Sequence, residues 1–460
     1  MSQSSGLAKR FADLASPPEL PSIGSLQSAI ESGPAGRITG RIAAITGTAV
    51  EVEGLCAPLG SLCRIRTASH QEAMAKTIGF RHQRSILAML DDVSSLAPGD
   101  AVQWIADGIT VGIGPGMLGR VLDALGRPID HLEAPRGLVK VRVDRQPPSS
   151  LDRPPIRQPM GTGVRVLDAM LPCGVGQRLG IFAGSGVGKS SLLGMLTRGC
   201  TADAIVIALV GERGREVREF MDEALGKEGL RRAVLVVATS DQPATMRLQA
   251  AWTATAIAES LRDAGKNVLL MIDSVTRFAL AQRELGLAAG EPPTTRGYPP
   301  SVFALLPRLV ERAGRTEKGS ITAFYSVLVE GDDTNEPIAD ALRGLLDGHI
   351  VLSRKLASQA HWPAVDVLQS LSRLQPLLVS AEQLEATNKV RRWLAEYEAN
   401  AELVEIGAYR PGSNPELDRA LQLRPAIRRF LTQDTKQRYS LDETQKLLAR
   451  LAAGQIEGMV

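Results

Sequence analysis

The chain has 460 residues, 44% of them apolar and 22% charged, which excludes a disordered or low-complexity protein and leads us to expect two or three domains. Its 53 basic and 50 acidic residues leave a net charge of only +3, which argues against a nucleic-acid or membrane surface built on bulk charge. Cys56, Cys63, Cys173 and Cys200 lack metal-site spacing and the five histidines do not cluster, so a zinc site and a disulfide framework are excluded too and inert thiols are expected.

Residues 1 to 34 read as an appendage. Leu7, Phe11 and Leu14 fall at i, i+4 and i+7 before "SPPELP" interrupts, a spacing that fits either a helical stripe for a partner or a frayed tail. No signal-peptide core is present, and no run approaches the ~18 apolar residues of a membrane span, so a cytoplasmic protein is expected.

From 35 to 106 short alternating runs such as "GRITGRIAAITGTAVEVEG" and "SLCRIRT" lie between Gly and Pro, which predicts a small β-barrel. Phe80 and Trp104 are its only aromatics, too few for a single-strand nucleic-acid platform. Between 107 and 375 the apolar runs "AIVIALV" (204 to 210), "AVLVVAT" (233 to 239), "VLLMID" (268 to 273), "ITAFYSVL" (321 to 328) and "HIVLS" (349 to 353) alternate with helical stretches such as 245 to 266. That pattern predicts an α/β domain around a mostly parallel sheet covered on both faces. Residues 376 to 460, with the long run at 381 to 403, predict a helical C-terminal domain.

The stretch "IFAGSGVGKSSLLGML" (181 to 196) has the strand, glycine-rich turn and helix of a phosphate loop. Gly184, Gly186 and Gly188 permit unusual backbone angles, so that the amides of Gly184, Ser185, Gly186, Val187, Gly188 and Ser191 can face phosphate oxygens. The helix N-terminus adds positive charge. Lys189 would bridge the β- and γ-phosphates of ATP, and the Ser190 hydroxyl would ligate Mg2+. Ala183 stands where the usual pattern has its first glycine, and a negative φ is expected there. Asp273 ends an apolar strand, a place from which a carboxylate holds magnesium through water. In "GERGREV" (211 to 217) Glu212 can polarise a water, Arg213 can contact phosphate and Glu216 can support magnesium-bound water, although the segment alone also reads as a solvated charge run.

These segments, together with "GRVLDALGRPID", "GEPPTTRGYPPSVFALLPRLVERAG", "ITAFYSVLVEGDDTNEPIAD" and "PAVDVLQSLS", resemble type III protein-export ATPases, relatives of the rotary ATPase α and β subunits. The likeness covers about residues 36 to 435. It implies a RecA-like P-loop core, an alanine at position 183 and Glu212 as the catalytic carboxylate, where non-catalytic subunits carry glutamine. It also implies Arg373, after "QSLS", as an arginine finger for a neighbouring subunit, and hence a homohexameric ring. Trp362 stands where relatives have a tyrosine beside adenine, and a core or interface tryptophan is the other reading.

The C-terminal "VEIGAYRPGSNPELDRALQLRPAIRRFLTQ" (404 to 433) is similar to the flagellar branch. The implied partners are a stator-like regulatory protein at residues 1 to 34, a central stalk protein, the export gate, and chaperones with their export substrates. Peripheral membrane association through the export apparatus follows from these. A virulence-type secretion ATPase and, from another class, a ring-shaped nucleic-acid translocase are the alternatives.

Overall fold

A computed structural model describes residues 39–91, 95–329 and 336–455; the appendage at 1 to 34 lies outside them. Six strands, β1 (Thr39–Thr46), β2 (Ala49–Glu53), β3 (Leu62–Arg66), β4 (Glu72–Arg81), β5 (Arg84–Met89) and β6 (Ala101–Ala106), close into an antiparallel barrel in the order β1-β2-β5-β4-β3-β6. Val50, Val52, Cys63, Ile65, Ala73, Ala75 and Val102 fill it. They alternate along their strands with outward residues, as the period of two requires. Phe80 is exposed, and Trp104 packs against the barrel core.

The central domain is built on β7 (Val121–Asp123), β8 (Arg178–Ala183), β9 (Ala204–Val210), β10 (Ala233–Ala238), β11 (Asn267–Asp273), β12 (Ser320–Leu328), β13 (Gly348–Leu352) and β14 (Val365–Ser372). Their order is β14-β13-β8-β12-β11-β9-β10-β7; every pair is parallel except β14 with β13. All five apolar runs singled out in the sequence are strands of this sheet. β7 and β14 are additional, short or partly polar strands that carry no continuous apolar signal.

Every residue of β9 is buried, and the two faces of that strand enter different cores. Val206, Ala208 and Val210 pack with Ala250, Ala254 and Ile257 of the helix at Ala244–Asp263. Ile205, Ile207 and Leu209 pack with Leu192 and Leu196 of the helix at Lys189–Gly199. The relevant helices are α1 (Arg165–Met170), α2 (Lys189–Gly199), α3 (Gly214–Glu219), α4 (Ala244–Asp263) and α5 (Val275–Ala289). A sheet buried on both faces leaves only its strand ends open, and ligands of such folds collect at the carboxyl ends.

Helices α6 (Ala381–Glu405), α7 (Pro415–Leu431) and α8 (Leu441–Ala452) form the C-terminal region. Val390, Trp393, Ile427, Phe430 and Leu448 join the same core as α2, so the helical region is continuous with the layer that carries the phosphate loop.

Candidate active site

The turn between β8 and α2 has the geometry that a phosphate cradle needs. Ala183 is the last residue of β8, buried and in register between Leu328 and Leu352. It is absent from the positive-φ residues, so alanine is unstrained where the generic pattern has glycine, as expected. Gly186 and Gly188 adopt φ of +77° and +90°, which L side chains rarely reach. Gly184 does not, so the unusual backbone expected of three glycines is confined to two. A Cβ at Gly188 would also lie 2.6 Å from Trp362 Cζ3; the half-exposed indole rests on the loop itself.

Gly188 caps α2 without any side chain satisfying the first-turn amides. Those groups and the helix dipole point where a phosphate would sit. The Ser185, Ser190 and Ser191 side chains at this turn are exposed, while Val187 is buried and anchors it.

Lys189 reaches from the first helical position to the carboxyl ends of two strands. Its Nζ lies 2.5 Å from Asp273 Oδ1 and 3.4 Å from Glu212 Oε1. Burial works against the ammonium, and the two carboxylates more than offset it, so the Lys189 pKa is raised. Asp273 also accepts a hydrogen bond from the Ser326 hydroxyl at 2.5 Å. Glu212 follows β9 and Gly211 and is only 8% exposed. Desolvation, opposed by Lys189 and reinforced by Asp273, raises its carboxyl to about 7. A carboxyl buried and poised near neutrality is suited to taking up a proton.

Two residues of this cluster escaped the sequence analysis. Arg277 on α5 sets Nη2 3.4 Å from Glu212 Oε2 and donates through Nη1 to the Gly211 carbonyl. It holds the Glu212 carboxylate through the oxygen that Lys189 does not contact. Its only sequence signal is its place four residues after Asp273. Ser326 stands opposite Asp273 because Tyr325 pairs with Ile272, and strand order is not written in local pattern.

Arg213 is not drawn into the cluster: its side chain is 73% exposed and lies 3.8 Å from Glu216. Glu216 lies at the edge of the site, where its proximity helps to raise the Glu212 carboxyl. Arg373 is the most distant. Its backbone N–H donates to Asp347 at the start of β13, and Nη2 donates to the Arg343 carbonyl at 3.1 Å. The register places that level beside Arg178, five residues before the loop, a separation of about 16 Å along the strand. The chain's own phosphate loop is beyond the reach of this arginine.

Among the described residues no three His, Cys, Asp or Glu side chains come together as a metal cluster. The donors present, one exposed serine hydroxyl and carboxylates at strand ends, suit a magnesium ion that takes most of its shell from phosphate and water.

A RecA-like P-loop core with a carboxylate-lysine cluster at its strand ends defines a nucleotide-binding domain of the rotary ATPase kind. The ATP synthase alpha/beta family nucleotide-binding domain matches residues 163–372, and the T3SS EscN ATPase C-terminal domain matches residues 379–450. The flagellum-specific ATP synthase of Bacillus subtilis is 51% identical over 433 residues, covering 94% of this chain and 99% of that one. The type 3 secretion system ATPase of Xanthomonas euvesicatoria is 48% identical over 90% of this chain and 94% of its own. The structure of the assembled ATPase EscN from the enteropathogenic E. coli type III secretion system superposes with a TM-score of 0.85 at 44% identity, covering 90% of this chain and all of that one. The chain belongs to the family of flagellum-specific and type III secretion ATPases.

Proposed function

We propose that the chain hydrolyses ATP in a Mg2+-dependent reaction, as one subunit of a homohexameric ring that drives flagellar type III protein export. The observation that supports this best is the division of the site: Lys189, Glu212 and Asp273 meet at one end of the sheet, and Arg373 stands at the other. A finger that cannot reach its own loop belongs to the loop of the next subunit. β14, which ends at Ser372 immediately before it, is the edge of the sheet and exposes Leu368 and Leu371, a surface suited to a neighbour.

In this reading the amides of 184 to 191 hold the phosphates, with Lys189 on the β- and γ-phosphoryl oxygens. Magnesium would be held by the Ser190 hydroxyl and, through water, by Asp273 and Glu216, and would supply positive charge at the phosphates. Glu212 orients and deprotonates the attacking water, and Arg277 restrains the Glu212 carboxylate. Arg213 turns inward onto phosphate, and Arg373 of the neighbour meets the charge that develops in the transition state. Trp362 stacks on the base.

Motion of α6 to α8 passes to a central stalk protein; the EscN structure with its central stalk EscO, which superposes with a TM-score of 0.83, supports that partner. Residues 1 to 34 bind a stator-like regulator. The ring sits in the cytoplasm against the membrane-embedded export gate, where it receives chaperones and export substrates. A virulence-type secretion ATPase is the second reading, favoured by the 48% identity to the Xanthomonas protein.

The experiment is ATP hydrolysis by the purified full chain across a range of protein concentrations. Activity that requires Mg2+ and rises per chain as oligomers form is expected. Hydrolysis at the same specific rate in a strictly monomeric sample would overturn the shared site.

A further inference from the structure

Helix α2 is held at both ends by glycine contacts. Gly188 opens it against Trp362, and Gly199 closes it against Gly163, where a Cβ on Gly163 would fall 2.5 Å from the Gly199 Cα. The two contacts lead to one residue, Gln433, which is buried just beyond α7. Its backbone N–H donates to the Trp362 carbonyl at 2.8 Å. Its carboxamide nitrogen donates to the Gly163 and Gln437 carbonyls, each at 2.9 Å, and its carboxamide oxygen accepts from the Arg165 N–H at 2.8 Å.

Arg165 completes the junction from α1. Its guanidinium donates to the carbonyls of Phe430, Arg429 and Thr432 at 2.6, 2.8 and 2.5 Å. These include groups that the end of α7 leaves without helical partners. It also lies over the Tyr439 ring at 4.4 Å. Arg198, in the last turn of α2, donates to the Thr435 carbonyl at 2.6 Å. Both ends of the phosphate-loop helix are therefore tied to one short segment of the helical domain, 432 to 437.

We propose that Gln433 is a positioning residue: its backbone N–H holds the backbone that carries Trp362, and its carboxamide couples that wall to Gly163 at the far end of α2. The proposal rests on the reading of Trp362 as the wall for the nucleotide base. Helix α2 is a rod about 16 Å long, so a displacement at the phosphates is passed to Gly199 and Gly163, then to Gln433. Because Gln433 also holds Trp362, the base wall and the loop shift together and α7 moves with them.

The test uses the full chain and ADP as the probe. Wild-type protein is expected to change tryptophan fluorescence on binding ADP, and Trp362→Phe to lose most of that change. Gln433→Ala is expected to raise KM for ATP about tenfold while kcat falls less than about threefold, and to shrink the fluorescence change. Gln433→Glu, which keeps the acceptor for Arg165 and loses both donors, is expected to fall between.

Thr387→Val is the comparison variant. It removes a buried bond from α6 to the Ala169 carbonyl of α1 and touches neither Trp362 nor Gly163. It should lower thermal stability and leave KM unchanged. Full retention of the ADP signal in Trp362→Phe would overturn the base-wall reading and the proposal with it. Loss of that signal combined with a wild-type KM in Gln433→Ala would overturn the proposal alone. An equal rise of KM in Thr387→Val would reduce Gln433 to a structural bond.

Discussion

The two ends of the central sheet are built differently. At the carboxyl ends, Lys189, Glu212, Asp273, Arg277 and Ser326 form one connected set, each bonded to another member and mostly buried. At the opposite end Arg373 is exposed, and the bonds recorded for it run to main-chain oxygen and from its own amide. Rigid, desolvated charge clusters preorganise chemistry. An exposed arginine over a sheet edge can only be organised by something that arrives. In the proposed reading, that contrast is why a single chain holds an incomplete site.

The largest effect that sharpens the contrast is at the buried end. Glu212→Gln keeps the shape and removes the base, so kcat should fall on the order of 10²- to 10⁴-fold with KM for ATP nearly unchanged, as steady-state assays would read. Retained turnover would break the assignment.

A pH profile gives the next. The Glu212 carboxyl titrates at about 7 in the free protein because burial disfavours its charge. Since kcat/KM reports the free enzyme, it should rise about tenfold between pH 6 and pH 8 and then level off. The stability contribution runs the other way. A carboxyl whose folded pKa lies above its unfolded value stabilises at low pH, and that stabilisation is lost as pH rises through about 7. Thermal midpoints across this window should therefore fall while activity climbs, and Glu212→Gln should flatten both.

Trp362→Ala is expected to raise KM for ATP by roughly tenfold, the loss of one stacking contact. Ala183→Gly should change turnover less than twofold, because the backbone there is unstrained. Its stability cost of about 0.5–1 kcal/mol, read from denaturant midpoints, is that of a glycine in a strand.

Much of this was legible in the sequence because the signals are local. Five apolar runs became strands, and "GSGVGKSS" became a turn into a helix, since period and glycine placement act over a few residues. Ala183 illustrates the limit of pattern matching: a motif counts glycines, whereas the backbone requires positive φ only at Gly186 and Gly188. Ser326 and Gln433 could not be read, because each acquires its meaning from a partner far along the chain. Asp273 is 53 residues before Ser326, and Gly163 is 270 before Gln433. Arg213 was grouped with its neighbours by sequence and points outward in space, the usual outcome for one arginine in a charge run. Strand β14 lacks a continuous apolar run, so its sequence does not announce it, and it is the register of that strand which separates Arg373 from the loop.

The central claim is that a working site takes its two ends from two subunits, and mixing inactive variants tests it most directly. Lys189→Ala destroys the loop and keeps the finger; Arg373→Ala keeps the loop and lowers turnover on the order of 10³-fold by removing the finger. Each alone should be inactive. Randomly mixed rings should regain activity, because about a quarter of the interfaces pair an intact loop with an intact finger. Mixtures as inactive as their components, although they assemble together, would contradict the account.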